Sequence, residues 1–130
     1  MRIIIIILIL SIPAFANAQG WEESYDPNTE ILIQGKVVDI VLRIRGPVVI
    51  EVLKKDRIYS IVTAPAWYLD QEKIKISIGD EVVVRGAKFF SRKGEIFLIA
   101  REIQNLSTGK TYLFRDEFMK PCWRGRGHHH

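Results

Sequence analysis

From Glu30 onward the chain is built on alternation. Ile31 and Ile33 share one parity, and after Val37-Val38 the stronger apolar parity passes to Val38, Ile40, Leu42 and Ile44. Period-two alternation predicts a half-buried strand. A parity shift inside it predicts a bulge or sharp bend, and Gly35 lies just before the shift. One long strand bent in this way can serve two faces of a barrel. Arg45-Gly46-Pro47 reads as a turn, followed by a second strand with Val48, Ile50 and Val52 on one face. Lys54 to Arg57 is polar enough for a hairpin turn, and residues 58–62 form the third strand. Thr63 is a candidate helix cap, Pro65 suits a first turn, and Ala66 to Gln71 predict about two helical turns. Gly79-Asp80 turns the chain into a fourth strand with Val82 and Val84 inward. Phe89 to Gly94 predicts the next hairpin, residues 95–103 a fifth strand and residues 111–116 a short sixth.

The first eighteen residues follow a different rule. Arg2 precedes an unbroken apolar run from Ile3 to Leu10, and Ala16-Asn17-Ala18 supplies a small-x-small cleavage pattern. The run is shorter than the roughly 20 apolar residues a bilayer span needs. Residues 1–18 are therefore read as a secretory signal peptide, and periplasmic or secreted location is expected, with no transmembrane segment after cleavage. Residues 19–29 read as an irregular lead-in, 30–116 as the folded domain and 117–130 as a C-terminal tail.

Export changes how the charge is read. The chain carries 19 basic and 15 acidic residues. Of the basic ones, Arg2 lies in the signal segment and Lys120, Arg124 and Arg126 in the last eleven residues, where no acid lies, so the body from Gln19 to Met119 is balanced. A neutral body argues against nucleic acid as the partner. Cys122 is the single cysteine, so no internal disulfide can form and the domain must fold by burial alone.

Three strands, a short helix and two further strands, with a glycine in the first strand and Gly79-Asp80-x-Val82-x-Val84-x-Gly86 in the fourth, resemble the OB fold. With the signal peptide, the chain is similar to small periplasmic bacterial OB-fold proteins over roughly residues 30–104. The resemblance implies an all-β, five-stranded Greek-key OB-fold barrel, with a short helix between strands 3 and 4 and an extra C-terminal strand. It also implies binding along the face between the loop joining strands 1 and 2 and the loop joining strands 4 and 5. Here these loops carry Arg43 and Arg45 on one side and Lys88, Phe90, Arg92 and Lys93 on the other. Cations interleaved with aromatic rings suit an anionic ligand or an acidic protein partner in the cell envelope. The plainer alternative packs Phe89 under the hairpin and leaves Arg92 and Lys93 to solvate its tip. Trp67 and Tyr68 are expected to plug the end of the barrel.

The tail holds the remaining donors. Cys122, His128, His129 and His130 could capture copper or zinc. Their spacing matches no standard zinc motif, and the histidines equally suit a fraying or artificial end. No cofactor is otherwise implied. Trp123 is either packed back on the barrel together with residues 117–123 or kept exposed as a partner contact. Enzymatic chemistry has little support: no histidine lies in the barrel, and Asp39 and Glu51 read as scattered, solvated carboxylates. The expectation is a non-enzymatic binding module. The alternative is a metal-handling or redox accessory protein using the Cys/His tail.

Overall fold

A computed structural model describes residues 25–124 of the chain. The signal segment, most of the lead-in and the three histidines lie outside the described residues.

A short 3-10 turn at Pro27–Thr29 is held by Asp26, whose carboxylate accepts from the Asn28 N–H at 3.0 Å. Six strands follow: β1 (Glu30–Val41), β2 (Pro47–Lys54), β3 (Arg57–Pro65), β4 (Glu81–Phe90), β5 (Ile96–Asn105) and β6 (Lys110–Leu113). The single described α-helix, α1 (Ala66–Gln71), separates β3 from β4. The long first strand changes partner along its length. Glu30–Lys36 pairs with β4, and Lys36–Val41 pairs with β2. A register shift between Val37 and Asp39 marks the bend that parity predicted. Gly35 is required there, because a Cβ would strike the Leu53 carbonyl and the Val52 side chain. Gly86 is required in β4 for the same reason, since a Cβ there would lie 2.5 Å from the Ile99 carbonyl oxygen.

The sheet order is β3-β2-β1-β4-β5-β6, and a parallel pairing of Tyr59–Val62 with Ile96–Ile99 closes β3 onto β5. The result is an OB-fold barrel of five strands. Closure uses only the first half of β5 against β3. The second half, Glu102–Asn105, is thereby left to pair with β6. Val37, Val52, Ile61, Val84 and Leu98 are fully buried inside. Tyr68 from α1 packs against Trp123 from the tail with the rings tilted and 5.7 Å apart, and both are buried in the same core. Each large side chain so buried contributes about 1.5–3 kcal/mol.

Three local expectations need correction. Thr63 does not cap the helix; it sits in β3 and donates its hydroxyl to the Val48 carbonyl at 2.6 Å, while Pro65 precedes α1 with no side-chain cap. Phe89 and Phe90 belong to β4, not to the turn. Most consequentially, the inward parity assigned to Val38, Leu42 and Ile44 fails. The bulge returns only Ile40 toward the core, β1 stops at Val41, and Leu42 and Ile44 are 72% and 102% exposed.

The chain beyond β6 doubles back. Asp116 accepts from the N–H groups of Phe118 (2.8 Å) and Lys120 (3.0 Å), and Arg115 forms a β-bridge with Pro121. The Cys122 N–H then donates to the Phe114 carbonyl at 3.0 Å, which aims Trp123 into the barrel. Among the described residues, no helix is long and apolar enough to cross a membrane.

Candidate binding surfaces

The β4–β5 hairpin is held rigidly by one side chain. The Ser91 hydroxyl accepts from the N–H groups of Lys93 (3.2 Å) and Glu95 (3.1 Å) and donates to the Glu95 carboxylate at 3.2 Å. Gly94 takes a φ of 83°, which a residue with a Cβ rarely adopts. Alternation along β4 then divides the two phenylalanines. Phe89 stacks on Phe97 at 5.3 Å, while Phe90 faces out at 60% exposure with the Lys88 Nζ 5.0 Å from its ring centre. Arg92 and Lys93 are exposed at the tip. Lys88 and Phe90 thus form a cation–ring pair beside the hairpin tip that carries Arg92 and Lys93.

Arg43 and Arg45 do not join it. They lie beside Pro47, which pairs with Pro65, whereas the β4–β5 hairpin lies beside Ile96, which pairs with Tyr59. Six residues of β3 separate these points, roughly 20 Å at strand spacing. Arg43 is half-buried and turned back toward Gly46, with its Nη1 buried and unpartnered among the described residues; Arg45 is exposed. The face between the two loops is not basic. Its centre holds Glu51, which points to the opposite side of β2 from Ile50 and Val52 and is only 8% exposed. Ser60 donates to Glu51 at 3.3 Å. Burial pushes the Glu51 carboxyl above its usual range; the Ser60 hydrogen bond opposes this, and the Asp39 and Glu95 charges add to it. Glu51 is therefore not the solvated carboxylate expected from sequence.

A second acid was equally invisible in the sequence. Glu30 accepts from the Tyr25 hydroxyl at 2.7 Å, from the Arg101 Nη1 at 3.2 Å and from the Arg85 Nη1 at 3.4 Å. Burial pushes Glu30 up, but the hydrogen bonds from Tyr25 and Arg101 and the arginine charges outweigh it and hold the carboxyl below its usual range. Tyr25 is driven strongly upward by burial and by Glu30. Arg115 closes the cluster, with its guanidinium 5.4 Å over the Tyr25 ring and its Nη1 donating to the Met119 carbonyl at 2.9 Å. This clasp ties the lead-in, the barrel and the tail together. It borders a cleft of about 650 Å³ lined by Arg85, Arg101, Arg115, Leu113 and Phe118 with acids interspersed.

In the tail, Trp123 is 4% exposed, so its ring is covered by the chain's own barrel and does not stand out as a partner contact. Cys122 is half-buried against the core. Among the described residues, no three His, Cys, Asp or Glu side chains are grouped to hold a metal ion, and His128, His129 and His130 lie outside the described residues.

Comparison with known proteins agrees with the architecture. The model of the MamS/MamX magnetosome protein family matches residues 29–109, which cover β1 to β5. A chain from the S. pombe Stn1–Ten1 complex superposes with a TM-score of 0.50 at 25% identity over 59% of this chain. The present chain spans 57% of that one. An OBody bound to hen egg-white lysozyme gives a TM-score of 0.45 at 22% identity, over 66% of this chain and 89% of that one. No curated protein sequence matches.

Proposed function

The chain belongs to the MamS/MamX magnetosome protein family, and on that premise we propose that it is a non-enzymatic binding module of the cell envelope. It captures an acidic protein partner through its β4–β5 hairpin. The observation that carries this reading is the posture of Phe90. A large ring is held in water at 60% exposure, with a cation over it, on a hairpin locked by Ser91. Preorganisation lowers the ordering cost of binding, and a rigid aromatic flanked by Lys88, Arg92 and Lys93 offers both contact area and charge to an acidic surface. That a solved neighbour is itself part of a two-protein complex supports a protein as the partner. The signal pattern in residues 1–18 supports an envelope location.

Substituting Phe90→Ala, Arg92→Ala and Lys93→Ala together should reduce recovery of acidic partners from a host envelope extract at least tenfold. Thermal unfolding should be unchanged, because all three side chains are exposed. Undiminished recovery by the triple variant would remove this hairpin as the binding surface.

A further inference from the structure

We infer that the opposite end of the barrel docks on the surface of an anionic phospholipid bilayer. The inference does not depend on the β4–β5 reading. It begins with the segment that departs from its strand pattern, Leu42-Arg43-Ile44-Arg45 between β1 and β2. Single exposed aliphatics are ordinary on protein surfaces. Here two of them, 72% and 102% exposed, project from one short loop with an exposed arginine next in sequence. Leu42 also lines a cleft of about 700 Å³ with Leu69 and Ile74, across which stand the exposed Lys73 and Lys75. Exposed apolar side chains interspersed with cations are the composition that partitions into a headgroup layer: the aliphatics enter the acyl boundary and the cations meet lipid phosphates. Asp70, also in the cleft, and Glu72 at the end of α1 are the acids of this end, against Arg45, Lys73 and Lys75. A protein partner would be met better by a larger, aromatic patch. Two exposed aliphatics among cations match a fluid surface with diffuse negative charge.

The test is cosedimentation of the chain from residue 19 onward, without the signal segment, with vesicles of phosphatidylglycerol and phosphatidylethanolamine, compared with phosphatidylcholine alone. The chain should bind the anionic vesicles at least tenfold better, and raising salt from about 0.1 M to about 0.5 M should weaken binding through screening. Leu42→Ser with Ile44→Ser should lose most of that binding, as should Arg45→Gln with Lys73→Gln and Lys75→Gln. Both sets lie at exposed positions, and circular dichroism verifies that they fold. The Phe90, Arg92 and Lys93 variant should bind vesicles like the parent, so a failed hairpin and a failed bilayer contact are told apart. Equal binding to the two vesicle types, or anionic binding that survives the Leu42 and Ile44 substitutions, would overturn the inference.

Discussion

Glu30 and Glu51 occupy comparable positions on two sides of one barrel and have opposite fates. Glu30, where β1 begins against β4, is surrounded by groups that favour its charge: one tyrosine hydroxyl and two arginines. Glu51, where β2 meets β3, has one hydroxyl from Ser60 and two further carboxylates, Asp39 and Glu95, in its surroundings. The first carboxyl is held low and the second pushed high. Burial raises both; what differs is the company each keeps. One side of the barrel is therefore fastened by its acid, and the other carries its acid as a cost to the fold at neutral pH.

The contrast can be broken most forcefully at Glu30. Glu30→Ala leaves the Tyr25 hydroxyl and a partly buried Arg101 without their acceptor, and should destabilise the protein by about 3 kcal/mol in urea unfolding at pH 7. The cost should shrink as pH falls. A carboxyl depressed in the folded state stabilises fully above its unfolded pKa of about 4.3 and loses that stabilisation as pH drops through the folded value. A flat cost between pH 7 and pH 3 would mean that packing, not charge, is what Glu30 supplies. Tyr25→Phe removes a single hydrogen bond to the same carboxylate and should cost about 1.5 kcal/mol. It should also move the Glu30 titration upward by NMR, since the Tyr25 hydrogen bond helps to hold it low.

Glu51 should respond with the opposite sign and the smallest size. Glu51→Gln keeps the shape and the Ser60 hydrogen bond and removes the buried charge. It should raise stability at pH 7 by about 1 kcal/mol, or about 4–8 °C in Tm. A carboxyl raised in the folded state is best tolerated below its unfolded pKa and loses ground as pH rises through the folded value, so parent and variant should converge near pH 4. If Glu51→Gln destabilises at pH 7, the carboxylate is making a favourable contact that outweighs its burial.

Much of the architecture was legible because strands announce themselves locally. The parity shift after Val37 marked the bend in β1, and the alternation of Val82 and Val84 marked the inner face of β4. Gly35 marked the bend as well, but the close backbone approach that requires glycine at 35 and 86 became visible only with the partner strands in place. The same signal misled at Leu42 and Ile44. Parity continues in the sequence after the strand has stopped, and only the pairing of Val41 with Val49 shows where the ladder ends.

The sequence by itself determined the order of the strands and most of their inward faces, because these follow from the period of side chains along a pleated backbone; where β1 stops and how β3 closes onto β5 did not. Tertiary structure alone decided the fate of charged and aromatic groups. Glu30 meets Arg85 and Arg101 across 55 and 71 residues, Glu51 is buried beside Ser60, and Trp123 returns to Tyr68. Electrostatic environment depends on distance in space and on excluded water, and neither has a period along the chain.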